Sequence, residues 1–70
     1  MPKVRAEMGG CYIGKHPELG TVHACWDAAA RFVESGVYPS RFSARLNPYR
    51  SRTAAAEAIT STGAKLYEAP

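Results

Sequence analysis

Residues 3–8 alternate strictly, with Val4, Ala6 and Met8 on one side and Lys3, Arg5 and Glu7 on the other, which is the period of a half-buried strand. Gly9-Gly10 follows, and because both glycines can take positive φ the pair signals a two-residue hairpin turn. Pairing across it sets Met8 opposite Cys11, Glu7 opposite Tyr12 and Ala6 opposite Ile13. One face then collects Val4, Ala6, Met8, Cys11 and Ile13. The run His16-Pro17-Glu18-Leu19-Gly20 predicts a loop. Beyond it, Val22, Cys25, Trp26, Ala29, Phe32 and Val33 recur at three- and four-residue spacings as far as Ser35-Gly36. This pattern predicts an amphipathic helix over 22–35 with Thr21 as its N-cap. A second reading of the same stretch makes 21–26 a strand and lets Asp27 cap a shorter helix.

Tyr38-Pro39-Ser40 breaks the chain, and residues 41–47 alternate again, with Phe42, Ala44 and Leu46 facing one way and Arg41, Ser43 and Arg45 the other. That predicts a further strand. Asn47-Pro48 marks a turn, after which Ser51 or Thr53 can cap a helix over the alanine-rich residues 54–60, ended by Gly63. Residues 64–68 close the chain as a strand, Ala64 and Leu66 inward, Lys65 and Tyr67 outward. The order β-hairpin, helix, strand, helix, strand predicts one α+β domain over 1–70. Its expected form is a two-layer sandwich of about four strands with two helices on one face.

Composition shows how thin the core must be. Hydrophobic residues make up 46% of the chain, but twelve are alanines and Val, Ile, Leu and Phe together number eleven. A domain of this length buries only about 60% of the surface of its unfolded chain, so Trp26, Phe32, Phe42 and the four tyrosines must supply much of the bulk. This excludes a two-domain enzyme, a deep cofactor cleft and a dinucleotide-binding unit. No apolar run approaches the roughly 18 residues of a membrane span, and residues 1–10 lack the apolar stretch of a signal peptide. Two cysteines are sparse for a secreted scaffold. The expectation is a cytoplasmic chain with no membrane association and with Cys11 and Cys25 buried as structural residues.

Charge is unevenly placed. Residues 1–35 are balanced, and the whole excess of +3 lies in residues 36–70. Within 41–52 stand Arg41, Arg45, Arg50 and Arg52 with no acid, and Tyr38 and Tyr49 frame the cluster. All four cations are arginines, whose planar guanidinium binds phosphate or carboxylate through two donors. Arg50 and Arg52 precede or enter the first turn of the second predicted helix, where the macrodipole disfavours a cation but free N–H groups attract an anion.

Cys11, His16, His23 and Cys25 form a C-x4-H-x6-H-x-C arrangement, but only His23 and Cys25 are as close as zinc-knuckle ligands usually are. No Gly-rich phosphate loop, paired-carboxylate motif or G-x-S-x-G is present. His23 and Cys25 would face the same way on a strand but not on a helix, and nucleophilic catalysis also needs a pocket that excludes water, which so small a domain barely encloses. The expectation is therefore a non-enzymatic binding protein without cofactor, metal or small-molecule substrate, monomeric or homodimeric. It would act stoichiometrically through Arg41, Arg45, Arg50, Arg52, Tyr38 and Tyr49 on a protein, a ribonucleoprotein complex or a nucleic acid. The manner is that of phage or mobile-element inhibitors of the anti-CRISPR type. Direct DNA or RNA binding and a small zinc-stabilised domain are the alternatives.

Overall fold

The computed structural model describes residues 9–31 and 33–68. Five elements follow in order: β1 (Gly9–His16), β2 (Gly20–Asp27), α1 (Arg41–Leu46), α2 (Arg52–Ser61) and β3 (Lys65–Glu68). The strands form one antiparallel sheet in the order β2-β1-β3. The class is α+β as expected, with three strands rather than four among the described residues.

The expected strand over 3–8 lies outside the described residues. Gly9-Gly10 is not a turn: both residues belong to β1 and pair with Asp27 and Trp26. A Cβ on Gly10 would lie 2.6 Å from the Trp26 ring, so this glycine is there to admit the indole. The hairpin reverses instead at residues 17–19, where Gly20 takes φ 81°. His16 holds that reversal together. Its Nδ1 accepts the N–H groups of Glu18 and Leu19, each at 3.0 Å, so the proton sits on Nε2, which donates to the Thr62 carbonyl at 3.0 Å. The ring is half-buried and ties the β1–β2 turn to the end of α2.

The helix expected over 22–35 is replaced by β2, the second of the two readings. Burial on both faces hid the strand period, since Val22 and Ala24 face one side and Cys25 the other, all buried. Asp27 caps no helix here. It accepts the Ala29 N–H on Oδ1 and the Ala30 N–H on its carbonyl, closing a single turn. Cys11 faces Cys25 across the β1–β2 pair with Cα atoms 3.9 Å apart, and the sulfurs are bonded. Of the two cysteines expected to be buried, Cys25 is buried and Cys11 is partly so, and they form a bridge.

The strand expected over 41–47 is the helix α1. Ser40, in extended backbone, accepts the N–H groups of Phe42 and Ser43 on its hydroxyl oxygen, which satisfies two of the donors a helix start leaves free. Asn47 ends it, donating from Nδ2 to the Ser43 carbonyl at 3.0 Å. The second helix and last strand stand as expected. Ser51 caps α2 through the Ala54 N–H, Gly63 turns the chain at φ 93°, and Ala64 and Leu66 point inward from the β3 region.

The core joins Tyr12, Val22 and Ala24 of the sheet to Ala55 and Ile59 of α2 and to Ala64. Gly14 is the point of closest approach, since a Cβ there would run into the Ile59 side chain. An alanine-rich helix over a bare glycine lets the two layers sit close enough for so few large residues to fill the space between them. Among the described residues, no helix is long and apolar enough to cross a membrane.

Candidate binding site

The segment from Tyr38 to Tyr49 is fastened to the outer edge of β2 at both ends. Tyr38 exchanges two backbone hydrogen bonds with His23, at 2.6 and 2.9 Å. Tyr49 donates to the Cys25 carbonyl and accepts from the Asp27 N–H, both at 2.8 Å. These two feet sit three residues apart on β2, about 10 Å at strand rise, and α1 rises between them.

Which way α1 faces is decided by its small residues. Ala44 is fully buried, and Ser43 and Asn47 are half-buried. The helix therefore turns its small positions toward the sheet and its large ones outward. Phe42 is 72% and Leu46 60% exposed. They stand one turn apart, as do Arg41 and Arg45, so the outer surface carries an apolar row beside a cationic row. The four side chains line a shallow open hollow. Among the described residues no carboxylate pairs with Arg41 or Arg45, and the first turn of α1 holds no acid.

The remaining expected site residues have different surroundings. Arg50 is exposed beside Tyr49. Arg52 lies over the rings of Tyr12 and Trp26, 5.7 and 5.8 Å from their centroids, and donates from Nε to the Tyr12 hydroxyl at 2.7 Å. Those two rings are themselves 5.1 Å apart, so Arg52 closes an aromatic stack. Tyr38 and Tyr49 are half-buried and serve as the feet of the clasp. Burial, and secondarily the neighbouring Tyr38, raises the Tyr49 phenol above its usual value and keeps it neutral.

His23 lies under the influence of the same surface. Its Nδ1 is buried without a hydrogen-bond partner, and burial, followed by the charge of Arg41, lowers its pKa from 6.5. The imidazole is thus held neutral. The sulfurs of Cys11 and Cys25 are consumed by their bond, and among the described residues no group of three or more His, Cys, Asp or Glu side chains could hold a metal ion.

Sequence reasoning turned Arg41 and Arg45 outward, and both are exposed, but it placed Phe42 and Leu46 in the core. The signal that locates them is Ser40, a serine just ahead of an i, i+4 apolar pair. No protein family, curated protein or solved structure significantly matches this chain.

Proposed function

We propose that the chain is a small non-enzymatic binding protein that acts stoichiometrically, covering a surface of a protein or ribonucleoprotein partner with the outer face of α1. The observation that carries this reading is the inverted helix, which turns Phe42 and Leu46 to solvent beside Arg41 and Arg45. A single exposed apolar residue such as Leu19 needs no explanation. A contiguous aromatic and aliphatic pair is different in a chain with eleven large aliphatic or Phe residues, because each left outside forgoes about 1.5–3 kcal/mol of burial. Arginine and aromatic side chains are also the residues that dominate binding hot spots. A blocker in the manner of phage or mobile-element inhibitors, the anti-CRISPR type included, needs no more than such a surface. Arg50 stands as an accessory cation, Tyr38 and Tyr49 hold the α1 segment to β2 through backbone hydrogen bonds, and Arg52 is engaged with Tyr12 and Trp26.

Direct nucleic-acid binding draws on the same Arg41 and Arg45 and is separated by experiment. The zinc-stabilised alternative is not carried forward, since it needs both thiols. Compartment follows the cystine: a bridge persists in oxidising surroundings, so cytoplasmic residence belongs to the dithiol chain and export to the bridged one.

The test uses the full oxidised chain and its Phe42→Ser/Arg45→Glu variant on nuclease-treated lysate from candidate hosts. The wild type should retain a partner at fixed stoichiometry, and the variant should lose it. A 30-mer oligonucleotide whose binding falls steeply with salt would assign nucleic acid instead, provided that Arg41→Ala with Arg45→Ala flattens the slope by about two. If neither partner is bound, the binding reading is wrong.

A further inference from the structure

Resting on that reading, we infer that the outer face of α1 takes an acidic amphipathic helix of a protein partner: one bearing an apolar row and, beside it, a row of carboxylates. Three other occupants fit less well, for reasons of charge and shape. A second copy of the chain placed face to face would bring Arg41 and Arg45 against their own counterparts, with no acid on α1 to offset them. A phosphodiester strand would satisfy the arginines yet leave Leu46, 60% exposed, against charged or polar backbone. An extended peptide shows one row of side chains on each face, so it can meet the apolar row or the cationic row but not both.

A helix meets both. On α1 the two rows run side by side, Phe42 with Leu46 and Arg41 with Arg45, each repeating after four residues or about 6 Å. Another helix carrying apolar residues at i and i+4 and Asp or Glu at the adjoining i+1 and i+5 repeats at the same interval. The apolar pair then enters the hollow between the side chains, and each guanidinium meets a carboxylate through two donors. With six residues, α1 offers about 9 Å of length, so the partner segment is short, about two turns. Desolvation of Phe42 supplies most of the affinity. The arginines set orientation and reject neutral or basic helices.

A random peptide display library selected on the immobilised full chain, with counter-selection on Phe42→Ser, tests this without knowledge of the natural partner. Phe42 is exposed enough that the variant retains its fold, which a circular dichroism melt verifies. The expected peptides carry apolar residues at i and i+3 or i+4 flanked by at least two acids. Synthetic copies should lose tenfold or more in affinity to Phe42→Ser and should weaken as salt rises. Arg41→Glu/Arg45→Glu should abolish their binding and accept copies in which Glu is replaced by Lys. Recovered peptides without acids, without helical spacing or indifferent to Phe42 overturn the inference and leave the binding reading standing. Binding of an oligo-dT 30-mer that depends on Phe42 does the same and assigns the face to nucleic acid. No binder of either kind overturns both.

Discussion

Breaking the Cys11–Cys25 bond should cost this domain most of its stability. The bridge joins residues 14 apart in sequence, and closing a loop of about 15 residues in the unfolded chain is worth about 3 kcal/mol in chain entropy. Unfolding entropy of about 2.1 cal/mol/K per residue gives about 150 cal/mol/K for seventy residues. Dividing one by the other predicts a fall in melting temperature of about 20 °C. For a core in which Ile59 is the one fully buried large side chain among the described residues, that is a large share of the total. The assay is thermal circular dichroism of the oxidised chain, of the chain in excess phosphine reductant, and of Cys11→Ala/Cys25→Ala. The reduced chain isolates the bond, and the double variant adds the lost packing of Cys25, which is buried. If both preparations melt within about 5 °C of the oxidised protein, the bridge does not restrain the unfolded chain as argued.

Gly14→Ala should destabilise by about 1–3 kcal/mol in urea titration, because its methyl would meet Ile59 with Val22 and Ala64 already 3.1 and 3.2 Å away; equal stability would show that the layers are looser than described. Ser40→Ala should cost about 1 kcal/mol and speed hydrogen exchange at the Phe42 and Ser43 amides that its hydroxyl holds, whereas unchanged exchange would remove the cap from the account. His23 has a folded pKa below 6.5, so the unfolded chain takes up the proton first as pH falls. Stability should be full above pH 6.5 and decline as pH drops toward the folded value. His23→Gln should flatten that decline and Arg41→Ala should lessen it, and a slope that survives His23→Gln refutes the assignment.

The parts of the fold legible in the sequence are those where local signals agree. For α2 the serine cap, the alanine run and the terminal glycine all indicate one helix, and for β3 the alternation is undisturbed. Legibility failed where a distant contact gave a residue its meaning. Gly9-Gly10 carries a strong turn signal, but positive φ is taken at Gly20 and Gly63, and Gly10 serves a tryptophan sixteen residues on. In β2, disulfide and core burial on opposite faces produced a three- and four-residue spacing without a helix. In α1, six residues are too few to separate periods of 2 and 3.6, and only the cap breaks the tie. For the candidate site, charge was legible and direction was not: Arg41 and Arg45 are exposed as expected, while Phe42 and Leu46 were assigned to an interior that Ala44 occupies. Arg52 could not be told apart from the other arginines of the cluster because its aromatic partners lie in β1 and β2.

The clasp on β2 has a consequence for how this chain can change. Its two feet are made by backbone atoms, through Tyr38 and Tyr49, and the helix between them is anchored by Ser40, Ala44 and Asn47. None of these supports depends on the identity of residues 41, 42, 45 and 46. Those four positions form a cassette, open to substitution without rebuilding the scaffold, so a lineage pursuing a partner that itself varies could retarget the surface one side chain at a time. The feet also occupy main-chain groups that the rim of β2 would otherwise offer to any passing strand, which under the proposed binding role leaves recognition to side chains that can be exchanged.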